Sequence, residues 1–403
     1  MPLQYIVEGG HRLTGTIAPS GNKNAALPII AAALLTEHPV TLENVPRIRD
    51  TETLVELIRS VGASAEWQRN TLAIHAKSIR AADLDPVLCA RIRASILLAG
   101  PLLARCGEVM LPPPGGDVIG RRRLDTHFLA FEQLGATVVA TDRLEFRCLR
   151  LKGADVFLDE PSVTATENAL MAAVAAHGTT HLRNVASEPH VQDLAHFLVA
   201  LGARIEGIGT NTMVVHGPAT LGGTSYSIGP DHIEVGSLIG LAAVTRSPLR
   251  IKRAGVEHLR SIRMGFERLG IVCEIDGEDI VVPSGQTLKI HDDFGGHVPK
   301  LEDQPWPAFP ADLMSIAIVT ATQCDGVILM FEKMFESRMF FVDKLISMGA
   351  RIVLCDPHRA IVAGPSRLRG APMTSPDIRA GMAMLLAAVC AKGVSTIDNA
   401  DQI

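Results

Sequence analysis

Six apolar, alanine-rich stretches punctuate this chain of 403 residues, and each opens on a polar side chain. They start at Lys23-Asn24 in "SGNKNAALPIIAAALL", Arg93 in "RASILLAGPLLA", Glu167 in "ENALMAAVAAHG", Glu234 in "EVGSLIGLAAVT", Asp312 in "DLMSIAIVTATQ" and Arg379 in "IRAGMAMLLAAV". An acid or amide at the start of a helix satisfies unpaired backbone N–H groups and the positive end of the dipole, which suits Asn24, Glu167, Glu234 and Asp312 as caps. Lys23, Arg93 and Arg379 oppose the dipole there. A cation at such a place makes sense when an anion lies between it and the free N–H groups. Three cations in one series therefore point to an anionic ligand.

The elements that must position these residues recur. A helix apolar all round has to be buried on all sides. After each such stretch comes a short β-like run, for example "VTLENV", "TTHLRNV", "LRIKRA" or "VILMFE". A second series interleaves with the first: "LIRSVGASAEW", "AFEQLGATVVA", "FLVALGARIEG", "GFERLGIVCEI" and "KLISMGARIVL". In the first of these Leu54, Leu57, Ile58 and Val61 fall on one face of an amphipathic helix. Gly62, Gly135, Gly202, Gly270 and Gly349 then end the helices, at a place where a left-handed residue is needed. A hairpin follows, clearest at Cys273 to Val282 with Asp276-Gly277 at the turn. The repeating unit reads apolar helix, strand, amphipathic helix, hairpin, and it occurs six times. Two three-unit domains with their buried helices pointing at each other would bring all six polar starts to one cleft.

Composition narrows the function. The net charge is −5 and aromatic residues make up only 4% of the chain, so no basic, aromatic-studded stripe exists for nucleic acid. "MPLQYIVEGG" lacks the charged and apolar regions of a secretory signal. The apolar runs fall short of the roughly 18 residues that a membrane span needs. Seven cysteines without a C-x-x-C pair fit a reduced, cytoplasmic compartment. The 14 histidines form no H-E-x-x-H arrangement, and no metal or cofactor is expected.

With these residues in view, "SGNKNAALPIIAAALL", "PGGDVIGRRRLDTHFLAFEQLGA", "PDHIEVGSLIG", "PAFPADL" and "FESRMF" together resemble the UDP-N-acetylglucosamine enolpyruvyl transferases of the EPSP synthase-like family. The resemblance runs over the whole chain, in order and at matching spacing. It implies an α/β fold, a two-domain inside-out α/β barrel of six repeated βαβαββ-type units. Residues 23–231 would form one domain; residues 1–22 plus 232–403 would form the other. The sixth unit would be incomplete, because the chain stops at "STIDNADQI" where the family continues into an Asp-Arg-Gly-Tyr segment. A strand edge near Val394–Ile397 would then lie uncovered.

The implied activity is transfer of the enolpyruvyl group of phosphoenolpyruvate to the 3′-hydroxyl of UDP-N-acetylglucosamine, with release of phosphate. That is the first committed step of bacterial peptidoglycan synthesis, with the associated roles in cell-wall biogenesis, cell shape and cell division. The related enzyme acting on shikimate 3-phosphate is the alternative, although its Gly-Asp-Lys-Ser entry differs from "SGNKN". A catalytically weak paralogue that binds UDP-sugar is a third reading. By resemblance, Lys23 and Arg122 hold phosphoenolpyruvate and Asn24 touches the reacting sugar. Arg93 and the run Arg122, Arg123, Leu124, Asp125 and Thr126 bind the nucleotide. Ser162 and Val163 contact the diphosphate, Asp312 accepts the hydroxyl proton, and Met334 touches the nucleotide sugar. Arg338 and Arg379 supply cleft cations. Segment 111–123, "LPPPGGDVIGRRR", reads as a loop that closes over substrate.

The sequence also departs from the family pattern. Asp117 stands where most members carry Cys, His232 where an Arg often follows the Asp, and Ala311 where a Thr is common. An aspartate serving as general acid at position 117 implies resistance to fosfomycin, which alkylates the cysteine. The sequence leaves the oligomeric state open.

Overall fold

Side chains with no polar face leave a helix no position except an enclosed one, and the six apolar stretches are enclosed. The computed structural model describes residues 3–80, 84–116, 120 and 122–403. The six helices are Lys23–Ala32, Ala99–Cys106 (entered through the 3-10 turn Arg93–Leu98), Val163–Ala175, His232–Val244, Met314–Ala321 and Ile378–Cys390. In Val163–Ala175 every residue from Ala165 to Val174 is buried. The amphipathic series behaves differently. In Arg49–Ser60, Leu54, Val55, Leu57 and Ile58 are buried while Glu52, Glu56 and Arg59 face solvent.

All five helix-ending glycines adopt positive φ, between 75° and 115°. Here the left-handed turn lets the chain reverse directly into a strand, without the steric cost a Cβ would bring. The hairpins that follow are Ser64–Gln68 with Thr71–His75, Thr137–Ala140 with Leu144–Arg147, Arg204–Glu206 with Thr212–Gly217, Glu274–Asp276 with Asp279–Val282, and Arg351–Leu354 with Arg359–Gly364.

Each hairpin belongs to a separate small sheet, and a sixth sheet stands without a hairpin of this kind. In the four-stranded sheets the hairpin pairs with the strand after the buried helix, and that strand takes a parallel partner on its other side. Thus Thr71–His75 pairs with Val40–Glu43, which runs parallel to Thr224–Ser227. Gly15–Ile17 likewise lies parallel to Leu249–Ile251. Alternation sets the faces: in Val40–Glu43, Val40 and Leu42 point to the core while Glu43 points out.

The sixth sheet corrects one expectation. The strand Val394–Asp398 is not left with an open edge. It pairs antiparallel with Tyr5–Glu8 and parallel with Pro372–Thr374. The segment near the start of the chain thus occupies the place where the sequence reading left a gap, and Ile397 is fully buried.

The chain divides into two compact units. One comprises Ser20–Asp117 and Arg123–Gly229; the other comprises Met1–Pro19, Val118–Arg122 and Pro230–Ile403. Gly120 and Arg122 thus group with the discontinuous unit, not with the unit whose sequence surrounds them. Each unit has its own apolar core and three of the six sheets. In the discontinuous unit the three buried helices pack on one another. Their approach is close, because a Cβ on Gly236 would come within 2.4 Å of Leu313 and one on Gly240 within 2.8 Å of Ile316.

The entry to the first buried helix is equally tight. A Cβ on Gly21 would lie 1.8 Å from the backbone oxygen of Asn44. Backbone cannot yield as a side-chain tip can. Gly21→Ala is therefore expected to destabilise the unit by roughly 1–3 kcal/mol, within the range for overpacking. Urea unfolding of the variant beside the parent measures it.

Candidate functional site

A buried helix can meet water only at its ends, so the polar starts are where chemistry can occur. Three of the caps expected from the sequence lie two to five residues earlier in the chain. Asn22, not Asn24, accepts hydrogen bonds from the Asn24 and Ala25 amides at 2.8 and 3.2 Å. Ser162, not Glu167, accepts from Ala165 at 3.4 Å. Asp231, not Glu234, accepts from Ile233 and Glu234 at 2.8 and 3.2 Å. Asp377 does the same for Arg379 and Ala380 at 2.8 and 3.0 Å. The cap belongs to the last extended residue, whose side chain folds back over the first turn. The polar residues picked out by the sequence lie inside the helices.

In the continuous unit Lys23 opens the first helix. Its Nζ lies 2.6 Å from Asp50 Oδ2, and the lysine side chain is 18% exposed. This carboxylate meets the demand for an anion beside a dipole-opposing cation, without any ligand. Asp50 sits on the following amphipathic helix, and no local pattern joins the two residues. Arg93 donates from its guanidinium to the backbone oxygen of Arg123 at 3.3 Å. Arg123 itself pairs with Asp125 at 3.2 Å and Asp159 at 3.1 Å, and Thr126 donates to Asp159 at 2.6 Å. Asp159 was not a sequence candidate, yet it organises the run 123–126. Its signal was faint: an acid shortly before the Ser162 cap. Leu124 immediately precedes the helix Asp125–Gln133 and packs on the core. Val163 is the first residue of its helix and also packs there.

Behind that run His127 is buried between Thr164 and Asn168, with ring nitrogens 3.1 Å from each. Asn168 also bonds the Ile96 carbonyl and the Gly100 amide, both at 2.9 Å. This network ties three elements that carry candidate residues. Burial, and then the Arg93 charge, lowers the His127 pKa to about 3, so the ring is neutral. Glu167 is equally buried. Burial first, then Glu188, holds its carboxyl well above the usual range.

The loop expected to cover substrate begins as a strand: Leu111 is the last residue of Glu108–Leu111. Further on, the Gly115 amide donates to the Cys89 carbonyl at 3.1 Å, and a Cβ on Gly116 would meet the Arg93 backbone nitrogen at 2.9 Å. Asp117 lies outside the described residues. Arg122 is half-buried.

In the discontinuous unit Asp312 lies in the 3-10 turn Ala311–Leu313 that leads into a buried helix. It is clamped, with Oδ1 2.6 Å from Arg338 and Oδ2 2.7 Å from Arg379. The three side chains are 23%, 11% and 17% exposed, so solvent screens them little. Burial disfavours the Arg338 cation, but Asp312, Glu332 and Asp377 together outweigh it and the pKa is raised. The guanidinium also stacks 4.7 Å over the Phe335 ring. Met334 is 39% exposed and stands in the same loop. His232 is buried against Trp306, ring centroids 5.8 Å apart. Burial, and then His258, lowers its pKa to about 3. A neutral ring therefore stands where an arginine is common in the family.

Chemically, each unit presents a cation at the start of a buried helix, already balanced by a carboxylate: Lys23 with Asp50, and Arg379 with Asp312, which the loop residue Arg338 also pairs. Such groups can receive phosphate or carboxylate. Among the described residues no group of three or more His, Cys, Asp or Glu could hold a metal ion. Also among them, no helix is long and apolar enough to cross a membrane.

A family model for EPSP synthase (3-phosphoshikimate 1-carboxyvinyltransferase) matches residues 7–403. The UDP-N-acetylglucosamine 1-carboxyvinyltransferase of Bradyrhizobium diazoefficiens is 88% identical over 403 residues, covering 100% of this chain and 94% of that protein. The enzyme of the same name from Treponema pallidum is 56% identical over 400 residues, with 99% and 94% covered. Among solved structures, the enolpyruvyl transferase NikO from Streptomyces tendae superposes with a TM-score of 0.86 at 26% identity, covering 100% of this chain and 94% of that one. EPSP synthase from Acinetobacter baumannii shares the fold, with a TM-score of 0.75 at 18% identity and 99% and 95% covered.

The buried neutral histidine sets a pH dependence. The folded pKa of His127 is depressed, so its stabilising contribution is present above the unfolded value near 6.5 and is lost as pH falls toward about 3. Urea unfolding at about pH 6.5 and about pH 4.5 is expected to show the parent losing more stability than His127→Gln, by on the order of 1–2 kcal/mol. Equal losses would mean the histidine charges freely in the fold.

Proposed function

The chain belongs to the EPSP synthase family, and we propose that within it the protein transfers the enolpyruvyl group of phosphoenolpyruvate to the 3′-hydroxyl of UDP-N-acetylglucosamine, releasing phosphate. The 88% identity to a protein named for that reaction carries the reading. The carboxylate-paired cations Lys23, Arg338 and Arg379 agree with it, since both substrates are anions. Enolpyruvyl transfer is common ground with the solved relative at 26% identity, which is itself an enolpyruvyl transferase.

In this reading Lys23 and Arg122 hold the phosphate and carboxylate of phosphoenolpyruvate. Arginine suits such groups through its planar fork, and lysine through a compact charge. Asp50, bonded to Lys23, fixes the ammonium before substrate arrives and must share it afterwards. Asn24 faces the sugar. Arg93, Arg123, Leu124, Asp125 and Thr126 receive the nucleotide, with Asp159 holding the run in place. Ser162 and Val163 offer the free amides of a helix start to the diphosphate. Met334, Arg338 and Arg379 are assigned the remaining substrate contacts.

Addition to the double bond requires that the sugar hydroxyl lose a proton and that carbon 3 gain one. Asp312 takes the hydroxyl proton. To do so it loosens one of its two arginine contacts, and the freed guanidinium is then available to an anion. Asp117 supplies the proton to carbon 3. Its ordinary pKa of about 3.9 must rise by several units for this, which desolvation and the neighbouring substrate anions would drive. Elimination of phosphate then reverses the carbon 3 transfer. A cytoplasmic location and a role in peptidoglycan synthesis belong to the same proposal.

Phosphate release from phosphoenolpyruvate, assayed with UDP-N-acetylglucosamine and separately with shikimate 3-phosphate, tests the substrate. Release with the nucleotide sugar alone is expected; release only with shikimate 3-phosphate, or with neither, would refute the reading. Asp312→Asn is expected to lower kcat by roughly 100- to 10,000-fold, the usual scale for losing a general base.

A second comparison addresses Asp117. The parent is expected to resist fosfomycin, whereas Asp117→Cys keeps turnover and becomes inactivated with time. Rapid covalent inactivation of the parent would remove Asp117 from its assigned role.

A further inference from the structure

Beneath the Asp312 clamp lies a second, wholly buried pair of acids. Glu332 and Asp303 are both 0% exposed, their carboxyls adjoin, and each keeps one buried oxygen, Glu332 Oε2 and Asp303 Oδ2, without a hydrogen-bond partner. Together they receive three consecutive backbone amides. Lys333 N donates to Asp303 Oδ1 at 2.5 Å, while Met334 N and Phe335 N donate to Glu332 Oε1 at 3.3 and 3.2 Å. These amides open the loop 333–338, which ends at Arg338. Glu332 Oε2 and Arg338 Nε are buried without a hydrogen-bond partner, and both residues line one small cavity with Asp377 and Arg379.

We propose that Glu332 is a positioning residue: a neutral carboxylic acid, joined to Asp303 by its proton, that fixes the loop 333–338 and so aims Met334 and Arg338 at the nucleotide sugar. This rests on the functional reading above for the identity of the sugar. The physical reason is the count of donors and charges. Two adjacent ionised carboxylates in a buried site would repel strongly. One proton turns that repulsion into a bond and leaves the remaining oxygens free to hold the loop. Removing it drives the two acids apart, and the loop amides go with them.

The surroundings favour the protonated form. Burial first, then the Asp303 charge, pushes the Glu332 carboxyl up to about 9. The groups facing it from each packed element are few. Asp303 follows the strand Lys300–Glu302, whose Glu302 is taken up by Lys300 at 2.7 Å and Lys333 at 3.6 Å. His358, before the strand Arg359–Gly364, meets only the Glu332 backbone, its Nδ1 2.8 Å from the carbonyl oxygen. Asp377 and Arg379 lie at the start of the third buried helix. Among the described residues Arg338 is the cation that acts on the pair, and Asp312 already occupies it.

The test compares the parent with Glu332→Gln, whose amide copies the neutral acid: its oxygen can accept from the loop and its NH2 can donate to Asp303. Calorimetric binding of UDP-N-acetylglucosamine at about pH 7.5 and about pH 9.5 is expected to weaken roughly fourfold more for the parent than for the variant. Titration of the ligand itself affects both proteins alike and cancels. Melting of the ligand-free proteins gives a second reading. A carboxyl whose folded pKa is raised loses its stabilising contribution as pH climbs from the unfolded value near 4.5 to about 9, so the parent should fall behind the variant over that window. Equal pH profiles in both measurements overturn the proposal, as does a Glu332→Gln protein that fails to fold or to bind at about pH 7.5. If the parent binds no UDP-N-acetylglucosamine at any pH, the functional reading falls, and the melting comparison still decides where the proton sits.

Discussion

A helix without a polar face has one contact with water, its end, and that constraint orders the molecule. Six helices of this kind are largely buried, so most residues beyond their first turns pack into a core and leave the chemistry to the helix starts. The free amides at their starts, however, cannot be satisfied from within the helix. Caps at Asn22, Ser162, Asp231 and Asp377 take some of these groups. What remains is a positive field at each opening. Adding Lys23 or Arg379 to such an opening is unfavourable unless a negative partner is at hand, and the fold provides one each time.

Those partners shape the chemistry as much as the cations do. Asp50 and Asp312 hold their cations in defined positions before any substrate is present. An enzyme working on two anions benefits, because the reorganisation is done during folding and not during reaction. It also means that an entering anion competes with a carboxylate already in place. Asp312 feels this most, since it both balances two arginines and is assigned a proton to accept.

Support for these openings comes from polar groups that the core would otherwise exclude. His127 with Asn168, and Glu332 with Asp303, are buried and bonded to loop or helix backbone near the candidate residues. Burying them costs desolvation, and the low dielectric then makes their geometry selective, because a misplaced donor finds no substitute. Both pairs depend on a neutral side chain. Neutrality at His127 and Glu332 follows from burial more than from any specific partner.

Periodicity decided the repeats. Apolar stretches that must be enclosed, glycines that must turn left-handed at 62, 135, 202, 270 and 349, and hairpin turns such as Asp276-Gly277 are local facts that any tertiary context has to accommodate. The family resemblance added the candidate residues. The caps lie two to five residues before the expected ones because a capping side chain is chosen by the dihedral angles of the last extended residue, which a string of letters does not show. Contacts between distant segments were beyond reach for a different reason. Nothing near Lys23 specifies Asp50, nothing near Arg123 specifies Asp159, and nothing in "FESRMF" calls for Asp303. The strand Tyr5–Glu8 completes a sheet with Val394–Asp398 from the other end of the chain. Such pairings are selected by which surfaces meet after the cores form, and they, together with the burial that sets each proton, belong to the tertiary structure alone.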